Sequence, residues 1–209
     1  MILSSEENAK LLQSVRDQFL TAIELKKQFL TGNFVEILVS MADRVAQSLM
    51  QGGKLMICGN GGSAADAQHL AAELLVRLRS HKNREAIAAI PLALDTSTLT
   101  ACANDYGFEH IYARMVQALA KPEDILLGLS TSGKSLNVIN ALKSARQTGV
   151  ATLGFLGHEG GSMKDYCDIS LIIPSQDPNR IQEVHITAGH ILMDLIEDVL
   201  IVKKYIHLI

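Results

Sequence analysis

Two side chains that can exchange protons stand four positions apart in this chain, His69 and Glu73. Four residues make about one helical turn, so both side chains would project from one face of a helix. An imidazole and a carboxylate at this spacing are suited to general acid–base catalysis or to binding a divalent cation. The sequence therefore predicts a reactive site on this helix.

A glycine-rich loop precedes that helix. The apolar run 54–58 is followed by Asn-Gly-Gly-Ser at 60–63, which is typical of a strand, a tight loop and a helix start. The N–H groups of such a loop favour an anionic ligand. Residues 59–64 also fit the loose dinucleotide fingerprint, but neither Glu85 nor Asp95 has the spacing that this fingerprint expects, so a nucleotide is the minor alternative.

A second polar loop follows another apolar run. Between residues 124–129 and a helical pattern from about Leu136 lie four hydroxyl residues: Ser130, Thr131, Ser132 and Ser135. Hydroxyls, backbone N–H groups and a helix start can together hold a phosphate dianion. A simple helix cap is the alternative, but a cap needs one such residue rather than four. The pattern therefore favours a phosphate site.

A third polar cluster near the C-terminus contains Gln182, His185 and His190. A lone histidine on an apolar helix is more often a core residue, and that alternative stays open for both histidines. Eight residues separate Gln182 from His190, or about 12 Å along a helix axis. Both could contact one ion only by leaning together or by coming from different subunits, so His185 is a fallback candidate.

The elements that must position these residues follow from the apolar pattern. Short apolar runs at 54–58, 87–94, 124–129, 150–156 and 168–173 alternate with helical patterns at 64–79, 96–118, 135–148 and 181–206. Alternation of this kind predicts an α/β fold, in which helices cover both faces of a parallel sheet. Two further helical patterns, 6–30 and 34–50, come first. Ligands of such sheets bind beyond the carboxyl ends of the strands, where both polar loops are expected.

The bulk composition restricts the function classes. A chain of 209 residues suits one domain. The formal net charge is -3, and Lys and Arg are scattered, so there is no concentrated positive charge to bind nucleic acid or an anionic membrane. The first residues lack the pattern of a secretory signal, which predicts a cytoplasmic location. Charges interrupt the apolar stretch 181–209, so we expect a packed helix there rather than a membrane span. Cys58, Cys102 and Cys167 have no CxxC spacing, and we expect neither a disulfide nor catalysis from them.

Four blocks of the sequence, in order, resemble the phosphoheptose isomerases, also called sedoheptulose 7-phosphate isomerases, within the sugar isomerase (SIS) domain group. The blocks are CGNGGSAADAQHLAAEL at 58–74, TACANDYGFEHIYAR at 100–114, EDILLGLSTSGKS at 123–135 and RIQEVHITAGHI at 180–191. The resemblance implies a flavodoxin-like three-layer αβα sandwich around a five-stranded parallel sheet. It also implies a single SIS domain over 1–209, a homotetramer built with the N-terminal helices of 1–50, an α/β core over 51–209, and active sites where subunits meet.

The resemblance also assigns roles to individual residues. It implies Glu73 and His190 as the catalytic pair, and one zinc ion per subunit bound through His69, Glu73, Gln182 and His190. The implied substrate-binding residues are Asn60, Gly61, Gly62, Ser63, Glu73, Asn104, Asp105, Ser130, Thr131, Ser132, Ser135 and Gln182.

The implied reaction is an aldose–ketose isomerisation that converts sedoheptulose 7-phosphate to D-glycero-D-manno-heptose 7-phosphate through an enediol. This is the first step toward nucleotide-activated heptose for the bacterial cell surface. The alternative is a non-catalytic SIS-domain tetramer that binds the replication initiator protein. Such relatives tend to lose the acidic residue at the position of Glu73, so its presence here favours the enzyme.

Overall fold

The computed structural model describes residues 2–209, so Met1, the first residue of the predicted domain, lies outside the described residues. The helices are α1 (Ser5–Lys27), α2 (Phe34–Met50), α3 (Gly62–Ala72), α4 (Thr96–Tyr106), α5 (Ile111–Leu119), α6 (Leu136–Gln147) and α7 (Pro178–Val202). The strands are β1 (Leu55–Cys58), β2 (Ala89–Pro91), β3 (Ile125–Ser130), β4 (Ala151–Gly157) and β5 (Ile169–Ile173).

The five strands form one parallel sheet in the order β2-β1-β3-β4-β5. Strand β2 lies on one side of β1, and β3 lies on the other side. In open α/β sheets, a crevice for ligands opens where the strand order reverses, at the carboxyl ends of the strands. In this fold that crevice lies between β1 and β3.

Apolar side chains alternate between the two faces of the sheet, as the period of two in a β-strand requires. On β1, Leu55 and Ile57 pack in the core with α2, α3 and α7, whereas Met56 and Cys58 pack in the core with α5 and α6. The sheet is therefore covered on both faces, and the predicted three-layer αβα sandwich is confirmed.

Two predicted elements end differently in the structure. The helical pattern 96–118 forms two helices, because Gly107 adopts a φ of 94° that ends α4 before α5 begins. The apolar run 87–94 is a strand only over Ala89–Pro91, at the edge of the sheet. Pro91 has no N–H group to donate to a ladder, which restricts it to such an edge position.

The two helices that carry the reactive side chains also differ from the predicted ranges. The pattern 64–79 is an α-helix only as far as Ala72 and then becomes a π-helical turn over Glu73–Arg77. The last helix begins at Pro178 rather than 181, because the Asp177 carboxylate caps it by accepting from the Asn179 N–H at 2.9 Å.

Helix α1 contributes one buried residue, Leu25, to the core. Its other large apolar side chains are exposed: Leu11, Leu12, Val15, Phe19, Leu20 and Ile23. A capping box at Ser4 and Glu7 starts the helix, with Ser4 Oγ accepting from the Glu7 N–H at 3.3 Å. The helix therefore presents an apolar surface that residues 2–209 of this chain do not cover.

All three cysteines are free thiols. Burial raises the pKa of Cys58 and of Cys167, which keeps these thiols protonated and weakly nucleophilic. Within residues 2–209, no helix combines the length and the apolar character needed to cross a membrane.

Candidate active site

Two loops flank the crevice between β1 and β3. The glycine loop (residues 59–63) follows β1, and the serine loop (residues 130–135) follows β3. A reciprocal pair of amide hydrogen bonds links the glycine loop to the start of α6: Asn60 Nδ2 donates to Asn137 Oδ1 at 2.8 Å, and Asn137 Nδ2 donates to Asn60 Oδ1 at 2.7 Å. The two loops are thus held next to each other.

A second contact also fixes the glycine loop. The Tyr112 hydroxyl, on α5, donates to the carbonyl oxygen of Gly59. Gly61 and Gly62 are exposed, whereas the Ser63 side chain lies buried at the start of α3. Neither Tyr112 nor Asn137 could be predicted from the sequence, because no local pattern indicates that either one reaches this loop.

The hydroxyl groups of the serine loop bond to one another and to the loop backbone. Ser130 Oγ lies 2.9 Å from Ser135 Oγ and accepts from the Gly133 N–H at 3.1 Å. Ser132 Oγ accepts from the Lys134 N–H at 3.1 Å. Ser135, at the N-terminus of α6, makes no side-chain hydrogen bond to the helix. The simple helix cap considered from the sequence is therefore not the role of Ser135.

Gly133 is required at its position in the serine loop. Its φ is 63°, and a Cβ atom on it would lie 2.2 Å from the carbonyl oxygen of Gly160. The Gly133 carbonyl also accepts from the Met163 N–H at 2.9 Å. Any side chain at this position would push the serine loop away from the segment after β4, so the loop shape depends on glycine here.

The structure brings His69, Glu73 and His190 together. His69 Nε2 lies 2.7 Å from His190 Nε2 and 3.2 Å from Glu73 Oε1. The nearest donor atoms of all three residues lie within 4.8 Å of one another. The His69 side chain is 48% exposed and that of Glu73 is 16% exposed, so the cluster is accessible to a ligand. We call these three residues the His–Glu cluster.

Gln182 lies beside the cluster rather than within its closest contacts. Its amide packs over Gly62, and its Nε2 donates to Asp66 Oδ2 at 3.3 Å. Helices α3 and α7 therefore run side by side in the same direction, so that Gln182 lies against the first residue of α3 and His190 lies against His69, about two turns further along. This arrangement is why His190 reaches His69 while Gln182 does not.

Asp66 is a further acidic group that was not predicted from the sequence. It lies three residues before His69, a spacing that also places two side chains on one face of a helix and could therefore have indicated Asp66. Burial raises the pKa of the Asp66 carboxyl, and this effect outweighs the opposing effects of the Gln182 hydrogen bond and the two histidines. A carboxyl group with a raised pKa next to imidazoles is suited to proton transfer.

His185 belongs to the core and not to the His–Glu cluster. It is fully buried, its ring packs 5.8 Å from that of Phe155, and neither ring nitrogen makes a hydrogen bond of ordinary geometry within residues 2–209. Five residues correspond to about 140° around a helix, so His185 and His190 project in different directions. The core interpretation is therefore the one that fits His185, and its fallback role is not supported.

Acid should destabilise the fold through His185. Burial lowers its pKa to about 4 from an ordinary value near 6.5. Between these two pKa values the unfolded chain binds a proton at His185 and the folded chain does not. The free energy of unfolding therefore falls as the pH decreases from 6.5 toward 4. Between pH 7 and pH 5, we expect the free energy of unfolding of the wild type to fall by about 2 kcal/mol more than that of a His185→Leu variant. Urea unfolding of both proteins at the two pH values measures this difference, and equal pH dependence would contradict it.

Asn104 and Asp105 lie exposed at the end of α4. Asn104 Nδ2 donates to Asp105 Oδ1 at 2.8 Å. In the described part of the chain, neither side chain is hydrogen-bonded to the glycine loop, the serine loop or the His–Glu cluster. Their part in substrate binding stays a prediction.

Comparison with known proteins identifies the family. The SIS domain model matches residues 18–157. The phosphoheptose isomerase of Pelodictyon phaeoclathratiforme is 52% identical over 89% of this chain and 88% of its own length. That of Clostridium acetobutylicum is 44% identical over 91% of this chain and 96% of its own length.

Solved structures agree with the sequence comparison. A phosphoheptose isomerase from Neisseria gonorrhoeae superimposes with a TM-score of 0.83 at 40% identity, covering 90% of this chain and 99% of that one. One from Francisella tularensis gives a TM-score of 0.84 at 34% identity, covering 90% and 98%. Together with the crevice between β1 and β3, these matches show that the chain belongs to the SIS domain family and, within it, to the phosphoheptose isomerases.

Proposed function

We propose that this chain converts sedoheptulose 7-phosphate to D-glycero-D-manno-heptose 7-phosphate by aldose–ketose isomerisation. The observation that carries the proposal is the His–Glu cluster, in which a carboxylate and two imidazoles meet beside the loops of the β1–β3 crevice. A carboxylate can move a proton between adjacent carbons, and an imidazole can exchange a proton with the neighbouring oxygen. Isomerisation through an enediol needs these two transfers.

The catalytic roles go to Glu73 and His190. Glu73 takes a proton from C1 of the ketose while O2 gains a proton, which gives an enediol. Glu73 then returns a proton to C2 while O1 loses its proton, which forms the aldose. His190 protonates or polarises the sugar oxygen during these transfers. His69 contacts both residues, at 3.2 Å and 2.7 Å, and therefore orients them toward each other.

The serine loop is the proposed phosphate site. Ser132 Oγ accepts from the Lys134 N–H and lies 3.3 Å from Ser130 Oγ, and when Ser130 is the donor of that contact the Ser132 hydroxyl hydrogen is available to an anion. The N-terminus of α6 follows directly and adds its partial positive charge. Thr131 and Ser135 complete the set of hydroxyl groups. The loop can thus hold a phosphate group without a cluster of basic side chains.

The His–Glu cluster also fits a zinc ion. Two ligands of one tetrahedral zinc lie roughly 3.3 Å apart, and the contacts of 2.7 Å and 3.2 Å at His69 need little adjustment to reach that spacing. His69, Glu73 and His190 would hold the ion, and Gln182 stays the predicted fourth ligand. When bound, zinc would supply Lewis-acid stabilisation of the negative charge that develops on the sugar oxygens.

The proposal is tested by incubating the purified protein with sedoheptulose 7-phosphate and following the aldose by NMR. We expect aldose to form, with deuterium incorporated at C2 in D₂O because the shuttled proton exchanges with solvent. A parallel reaction with a chelator, followed by added zinc, reports whether activity depends on the metal. Absence of aldose under all three conditions would refute the proposed reaction.

The initiator-binding alternative is not favoured. Relatives of that kind tend to lose the acidic residue at the position of Glu73. In this chain Glu73 is present and contacts His69. The relatives described above are named as isomerases. A cytoplasmic location is part of the same proposal, since the reaction supplies an early precursor of nucleotide-activated heptose.

The assembly we propose is a homotetramer that uses the helices of residues 1–50. The exposed apolar side chains of α1 support it, because a large apolar surface on a helix is typical of a protein–protein interface. A groove lined by apolar residues of α2 and α7, including Phe34, Leu38 and Ile191, continues that surface. The α/β core of residues 51–209 then carries the site.

Charge placed on α1 should disrupt this assembly. We expect light scattering to give about four times the chain mass of 22.7 kDa for the wild type. Leu12→Asp combined with Phe19→Asp should shift the protein to smaller species, because burying two carboxylates in an apolar interface is unfavourable. Asn8→Asp adds a charge at an exposed polar position of the same helix and is the matched control. A monomeric wild type, or an unchanged mass in the double variant, would contradict the proposal.

A further inference from the structure

The π-helical turn that begins at Glu73 has an unusual partner for its backbone. Carbonyl groups at the end of a helix lack intrahelical donors, and a π-helical turn displaces the ordinary pattern further. Here the Arg84 guanidinium donates to three carbonyl groups of the turn. Its Nη2 donates to the Glu73 carbonyl at 2.8 Å, and its Nη1 donates to those of Leu74 at 2.9 Å and Val76 at 3.3 Å.

The same guanidinium is anchored on α7. Arg84 Nε donates to Glu197 Oε2 at 2.8 Å, and the two side chains are 0% and 1% exposed. Glu197 lies seven residues after His190, on the same helix. Removing one partner of a buried ion pair leaves an uncompensated charge, so such a pair holds its two elements firmly together. Arg84 therefore joins the backbone at Glu73 to the helix that carries His190.

We propose that Arg84 is a positioning residue, which sets the Glu73 carboxylate against His69 and His190. This inference rests on the proposed function, in which Glu73 is the base. The planar guanidinium directs its donors in fixed directions, so it can bond the Glu73 carbonyl and the Glu197 carboxylate at once. Arg84→Lys would keep the positive charge but could not bond both groups in this way.

Arg79 offers a matched control for a purely structural role. Its Nη2 pairs with Glu197 Oε1 at 2.9 Å and with Asp198 Oδ1 at 2.7 Å, so it also ties this region to α7. Among the described residues, it donates to no carbonyl of the π-helical turn. Arg79→Lys should therefore weaken the same interface without moving Glu73.

The test compares Arg84→Lys with Arg79→Lys in kcat, KM and Tm. We expect Arg84→Lys to lower kcat by about 10- to 100-fold, since a displacement of about 1 Å at a reacting group has an effect of this size. KM should change by less than about threefold, because the Arg84 side chain is 0% exposed and so is not accessible to a bound substrate. Arg79→Lys should lower Tm by a similar amount and leave kcat within about threefold. Equal losses of kcat in the two variants would overturn the proposal.

A crystal structure of the Arg84→Lys variant separates this inference from the proposed reaction. We expect the Glu73 carboxylate to move away from its 3.2 Å contact with His69. An unchanged contact would overturn the positioning role, whatever the substrate is. If wild-type protein does not isomerise sedoheptulose 7-phosphate, the proposed function fails and this measurement still decides the role of Arg84. Should Arg84→Lys fold poorly, Glu197→Gln weakens the anchor on α7 while keeping the side-chain shape, and the same displacement is expected.

Discussion

Glu73→Gln is expected to lower kcat by at least about 1,000-fold, because general-base catalysis contributes on this order and an amide cannot take the proton. The substitution hardly changes the side-chain volume, and the backbone at position 73 stays bonded to Arg84. Tm should therefore change little. Turnover of sedoheptulose 7-phosphate, followed by NMR, measures the effect.

Glu183→Gln is the matched control for this prediction. Glu183 lies on α7, 41% exposed and paired with Arg180, and within residues 2–209 no hydrogen bond or ion pair joins its side chain to the His–Glu cluster. We expect its activity to match the wild type. Full activity of Glu73→Gln would refute the assignment of the base. Loss of activity with continued deuterium exchange at the substrate carbon would refute it as well, because proton abstraction would then not depend on Glu73.

Combined Ser132→Ala and Ser135→Ala should raise KM for the sugar phosphate by at least about 100-fold. Hydrogen bonds to a charged group contribute about 1.5–3 kcal/mol each, and two are removed from the proposed phosphate site. The fold should tolerate the change, since Ser135 does not cap α6. Steady-state kinetics measure KM for the sugar phosphate, and inhibition by inorganic phosphate reports binding at the same site. We expect KM to rise and phosphate inhibition to weaken together.

Ser40→Ala with Ser80→Ala removes two hydroxyl groups from exposed positions and serves as the control. Its KM should equal that of the wild type. An unchanged KM and unchanged phosphate inhibition in the Ser132 and Ser135 variant would place the phosphate group elsewhere. A lowered kcat with unchanged KM would instead indicate that the serine loop acts on the reacting carbons.

Much of the fold could be predicted, because it depends on local patterns. Alternating apolar runs and helical patterns indicated five parallel strands, and all five are present within residues 2–209. The exact boundaries were less predictable. The break at Gly107 and the π-helical turn at Glu73 arise from backbone conformations that apolar spacing does not report. Tertiary contacts, such as those of Arg84, stabilise the π-helical turn.

The candidate site was predicted in part. Helical spacing placed His69 and Glu73 on one face, and the structure shows that contact. Asp66, three residues before His69, lies on the same helical face and could have been predicted in the same way. The sequence did not indicate the role of Arg84, since its partner Glu197 is 113 positions away. Long-range pairs of this kind depend on how two helices pack, and a single sequence does not contain that information.

The sequence by itself determined the local chemistry of this protein: a glycine loop and a serine loop after two strands, and an imidazole one turn before a carboxylate. The tertiary structure alone decided which distant residue joins them. His185 and His190 look alike in the sequence, yet one is buried against Phe155 and the other lies 2.7 Å from His69. The physical reason is the side-by-side packing of α3 and α7, which directs one face of α7 toward the reactive pair and another toward the sheet.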